Sequence, residues 1–103
     1  MLVFDVLDQL ETYAPIIPHM DDVINVMDHS KPYDDDPGEY KCREKGDTTY
    51  KVSVHLSSEK GFPGDNFPSH TVVEIVLEGE EMVSLDGSVF KLSPGRFLAY
   101  SGD

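Results

Sequence analysis

The sequence predicts a mainly β fold with N-terminal helices, an antiparallel β-barrel or jelly roll built as a single domain over residues 1–103. Three observations carry this. Apolar residues recur every second position after residue 38, turn pairs such as Asp86-Gly87 and Pro94-Gly95 follow one another closely, and helical spacing is confined to residues 1–30.

In chain order, Val6, Leu7 and Leu10 form one short helical stripe, and Met20, Val23, Ile24 and Met27 form a second. Asp8 and Pro18 stand where helices begin, and Asp21 and Asp22 suit a first turn because its exposed amides attract negative charge. Both stripes are read as core packing against a sheet. His19 falls at a helix start and His29 near its end, as capping or surface residues. Residues 30–38 hold Lys31-Pro32, Asp34-Asp35-Asp36 and Pro37-Gly38. The carboxylates lack the spacing of a calcium loop, so this stretch reads as a solvated linker. Beyond it, Tyr50, Val52, Val54 and Leu56 alternate with Lys51, Ser53, His55 and Ser57, which predicts a strand with one polar face. Gly61 to Asn66 is turn chemistry. Strands are then expected over His70–Leu77, Met82–Leu85, Val89–Leu92 and Phe97–Tyr100, with a turn near Glu78-Gly79, a hairpin at Asp86-Gly87 and a turn at Pro94-Gly95.

Composition narrows the function. Twenty acidic residues against eight basic ones give a formal charge of −12, a field that repels phosphate backbones and acidic membrane surfaces, so neither nucleic acid nor membrane is an expected partner. The single cysteine, Cys42, forms no internal disulfide and is read as a small strand residue. Met1-Leu-Val-Phe-Asp5 lacks the character of a signal peptide, and no apolar run is long enough to span a bilayer, so a cytoplasmic location is expected.

His70 and Glu74 are four residues apart, and on one strand they would share a face. This spacing resembles the end of the first metal motif of the cupin (double-stranded β-helix) fold, and Leu92-Ser-Pro94-Gly95-Arg-Phe-Leu-Ala-Tyr-Ser-Gly102 resembles the approach to the second. More narrowly, the chain resembles the YhcH/YjgK/YiaL family, which includes the β subunit of evolved β-galactosidase. The matching segments are Val3-Phe-Asp-Val-Leu, Leu10-Glu-Thr-Tyr13, Pro37-Gly-Glu-Tyr40, Ile75-Val-Leu-Glu-Gly-Glu-Glu81 and Leu92-Ser-Pro-Gly-Arg-Phe97. The resemblance implies a cytosolic barrel with two leading helices, a pocket for a divalent metal such as zinc or copper, and a role in carbohydrate metabolism that extends to sialic acids. The chain also departs from the family pattern. Phe67 stands where the family has a His, Glu74 falls at its Gln and His70 at its Tyr, and its closing metal-site His would fall about two residues beyond Asp103. The barrel is accordingly expected to be incomplete.

Residue types suggest what such a site would do. His70, Glu74 and His55 would suit zinc or copper as ligands, the ion would polarise a sugar oxygen, and Glu74 would move a proton as the catalytic carboxylate. Tyr50 and Tyr100 would hydrogen-bond the substrate. The reaction class is sugar isomerisation, epimerisation or mutarotation on a sialic acid or galactoside. The opposing reading leaves His70 and His55 on the surface and Glu74 in solvent. The protein is then a non-catalytic sugar-binding or regulatory subunit whose exposed strand edge is shared in a homodimer or with a subunit partner.

Overall fold

A computed structural model describes residues 1–43, 46, 48–54, 62–64 and 70–102, with the backbone alone for 62–64. The fold is mainly β, with helices in its first third. The chain divides into two compact units, one formed by Met1–Gln9 with Leu56–Asp103 and the other by Leu10–His55.

The first unit contains six strands: β1 (Leu2–Val6), β4 (Phe62–Gly64), β5 (Val72–Ile75), β6 (Glu81–Leu85), β7 (Ser88–Leu92) and β8 (Arg96–Tyr100). They form two three-stranded sheets, ordered β1-β8-β5 and β4-β6-β7. Among the described residues the strands form separate open sheets rather than a closed barrel. All the pairings in this unit are antiparallel except β4 with β6, which is parallel.

The turns follow from local chemistry. Asp86 and Gly87 both take positive φ, 47° and 82°, the conformation that joins β6 to β7 with the twist the strands need. Gly95, at φ 92° behind Pro94, turns the chain into β8, and the Arg96 amide closes that turn on the Ser93 carbonyl at 3.2 Å.

β1 corrects the helical reading of the N-terminus. Leu2 to Val6 pair residue by residue with Tyr100 to Arg96, and a 3-10 helix follows over Leu7–Tyr13. Leu7 and Leu10 of the expected stripe are helical, while pairing with β8 draws Val6 into the strand, where the odd-numbered residues bond to β8 through their backbone. The Leu7 amide reaches the Gly95 carbonyl at 2.8 Å, so the odd-numbered amides face β8. The Val6 amide faces the outer edge instead, where Asp5 Oδ1 accepts it at 2.7 Å. Phe62–Gly64 is a second correction. This expected turn pairs with Val83–Leu85 at the edge of its sheet, the place in a ladder that tolerates Pro63.

The two sheets meet on one apolar cluster. Leu98 and Tyr100 of β8 pack with Val76, Val83, Leu85 and Leu92, and Val72 and Phe90 complete it. At the flank, the Phe4 and Phe90 rings meet edge to face with centroids 5.5 Å apart, and the Arg96 guanidinium lies 5.6 Å from the Phe4 centroid.

The second unit contains helix α1 (Met20–Asp28), the short helix α2 (Lys31–Asp34) and the antiparallel pair β2 (Gly38–Lys41) and β3 (Thr49–Val52). His19 and His29 flank α1 as expected, and His29 Nδ1 lies 2.8 Å from the Asn25 carbonyl. The acidic stretch is more structured than a linker. Lys31–Asp34 is helical, the Tyr50 hydroxyl donates to the Asp35 carboxylate, and the Tyr40 hydroxyl donates to the Asp36 carbonyl at 2.5 Å.

Leu98 is fully buried in the central strand, so Leu98→Ala should cost about 2 to 5 kcal/mol in urea unfolding. Val89→Ala on edge strand β7, where the side chain is 56% exposed, should cost under about 1 kcal/mol. Equal losses at the two positions would contradict this description of the core.

Candidate functional site

Strand register brings the polar groups together. Val72 lies opposite Tyr100, and Glu74 lies opposite Leu98. Directly opposed residues share a face, so Glu74 points to the same side of its sheet as the core residues Leu98 and Tyr100. On the other sheet, Glu81 shares a face with Val83 and Leu85, which belong to the same core cluster. Two carboxylates therefore border the space between the sheets, one from each side.

Tyr100 links this acidic rim to the core. Its side chain is 7% exposed, and its hydroxyl donates to Glu74 Oε1 at 2.6 Å. Burial pushes the Glu74 carboxyl above its ordinary range, and the charge of Glu81 adds to this, while the Tyr100 hydrogen bond pulls the other way. The Tyr100 hydroxyl is itself pushed upward, chiefly by burial and then by Glu74. A half-buried carboxyl held by a buried phenol is suited to giving and taking a proton nearer neutrality than a solvated glutamate.

The other expected site residues are placed differently. His70 is exposed and lies in a bend two residues before β5, so it is not set on the strand that carries Glu74. His55 lies outside the described residues. Tyr50 belongs to the second unit, where its hydroxyl is committed to Asp35. That bond and burial push it up to about 12, and its ring stacks on Tyr40 with centroids 5.3 Å apart. Among the described residues, no three His, Cys, Asp or Glu side chains group closely enough to hold a metal.

In the sequence Glu81 reads as one of three carboxylates flanking the turn at Gly79, with Glu78 and Glu80. The neighbouring Glu80 stands in an exposed ion pair with Lys91 at 3.0 Å. The available signal was alternation: Glu81, Val83 and Leu85 are spaced by two, and the latter two are apolar.

No protein-family model matches the chain, and no match is found among curated proteins or solved structures.

The folded-state pKa of Glu74 lies above the unfolded value, so the folded chain holds this proton more tightly. The group costs no stability below the ordinary carboxylate range and subtracts stability as pH rises through the raised value. Glu74→Gln, which keeps an oxygen for Tyr100, should therefore be at least as stable as the native chain at pH 7 in urea unfolding. Its advantage should disappear at about pH 4. A variant less stable at pH 7 than at pH 4, relative to native protein, would contradict the burial of this carboxyl.

Proposed function

We propose that the protein is a cupin-like domain of carbohydrate metabolism, of the YhcH/YjgK/YiaL type and cytoplasmic, in which Glu74 transfers a proton on a neutral sugar. The supporting observation is the Tyr100–Glu74 hydrogen bond on the core-facing side of the β1-β8-β5 sheet. Opening a sugar ring requires a proton delivered to the ring oxygen and another removed from the anomeric hydroxyl. As the bond between the anomeric carbon and the ring oxygen breaks and the carbonyl forms, protonated Glu74 supplies the first, and water takes the second and returns it to the Glu74 carboxylate. Tyr100 is the positioning residue, because it fixes the carboxyl without itself meeting the substrate. Mutarotation or a related isomerisation is the reaction class this serves. Glu81 beside Glu74 favours a galactoside over an anionic sialic acid, since like charges across a half-buried site repel.

A second reading, a non-catalytic sugar-binding or regulatory subunit, is favoured by edge strand β1. Its residues Leu2, Phe4 and Val6 leave apolar surface exposed at every second position, as a strand shared with a second copy or a subunit partner would.

The test is exchange between galactose anomers followed by NMR, with and without added zinc or copper. The native protein should accelerate exchange, and Glu74→Gln should lower the rate about 100-fold or more. Tyr100→Phe should keep measurable activity with a shifted pH profile. Galactose binding without acceleration under any metal condition would establish the second reading. Absence of both binding and acceleration would overturn the carbohydrate assignment.

A further inference from the structure

The β2–β3 hairpin of the second unit is attached by polar bonds rather than by burial. Neither strand contains a fully buried side chain, and the buried apolar residues of this unit outside the hairpin loop, Leu10, Ile17, Met20 and Val26, all precede it. A two-stranded hairpin is marginal by itself, so whatever ties it down decides whether it stays in place.

One such tie converges on Asp22. Asp22 as a residue is 4% exposed, yet its carboxylate accepts the Arg43 Nε donor and a hydrogen bond from the Thr48 side chain. The other end of the same guanidinium donates to Asp21 Oδ2 at 2.6 Å. Arg43 holds the Asp22 carboxyl below its usual range, as a bound cation does. Between these anchors sits Cys42, 6% exposed, whose amide donates to the Thr48 carbonyl at 2.9 Å. Its sequence neighbour and its hydrogen-bond partner are thus both held by one buried carboxylate.

We propose that Asp22 of α1 latches the hairpin at Arg43 and Thr48, and that this latch opens locally, without global unfolding, to uncover the Cys42 thiol. Polar contacts with little apolar area behind them are the kind that open separately from a core. Opening exchanges the Asp22 bonds for water and exposes little new surface.

Cys42 is the one thiol of the chain, so its labelling by a disulfide reagent reports the opening. In the native protein, labelling should be at least tenfold slower than in the urea-unfolded chain. It should also be nearly insensitive to low urea, because a local opening exposes too little area to carry the global slope. Asp22→Asn should label several-fold faster than native protein with an unchanged circular dichroism spectrum. Removing the Asp22 charge also makes the thiol itself more reactive, because burial and that charge both push the thiol up. Thr48→Val, which changes no charge, should therefore also label faster. It carries the test alone if the Asp22 variant fails to fold. Native labelling at the unfolded rate, a urea dependence equal to that of global unfolding, or a Thr48→Val rate equal to native would each overturn the latch.

Discussion

The first unit depends on the burial and pairing of β8. Its residues Phe97, Leu98 and Ala99 are inaccessible to solvent, and the strand pairs on one edge with residues 2–6 and on the other with residues 72–75. It joins segments separated by most of the chain, so its ladder settles the place of both neighbours. Register is the critical quantity. A slip of one residue between β5 and β8 would turn Glu74 away from the face that Leu98 and Tyr100 share, and the 2.6 Å contact with Tyr100 would be lost. The candidate chemistry is thus a consequence of how the core is paired.

The two units are held by different physics. In the sheet unit, apolar side chains from both sheets close on one cluster, a non-directional attraction that scales with area. In the helical unit, the hairpin is fastened by directional polar bonds, from Arg43 and Thr48 to Asp22 and from Tyr50 to Asp35. Bonds of this kind contribute little net free energy but leave a buried group costly to orphan. A chain of formal charge −12 can retain a buried carboxylate where a cation and a hydroxyl satisfy it, as at Asp22. Glu74 accepts from the neutral Tyr100 hydroxyl, and burial raises its proton affinity instead.

Local chemistry was the legible part of the fold. Asp86-Gly87 and Pro94-Gly95 specify their turns through the φ values they permit, and with the turns placed, β6, β7 and β8 fall within one residue of the expected strands. Helix α1 follows the stripe that begins at Met20. β1 was hidden because its reason for being extended lies at residues 96–100, while the stripe that follows it does turn helical from Leu7 onward. β4 was hidden by Gly and Pro, whose usual meaning is punctuation. In the candidate site, Glu74 and Tyr100 each stood out, one as a metal ligand and proton carrier and the other as a substrate contact. Their contact was not legible, because only the β5–β8 register brings residues 26 apart to hydrogen-bond distance. Asp22 was legible as a helix-start carboxylate but not as a buried anchor, since Arg43 and Thr48 lie in a loop with no periodic signal.

The most direct test of the account is a carbon-detected NMR titration of the glutamate carboxyls in native protein and in Tyr100→Phe. The account predicts that Glu74 titrates above the ordinary glutamate range in the native chain, and that its midpoint rises further when the Tyr100 hydroxyl is removed, because that bond favours the charged form. A Glu74 midpoint within the ordinary range and unmoved by the substitution would contradict the burial, the β5–β8 register and the proton-transfer role together.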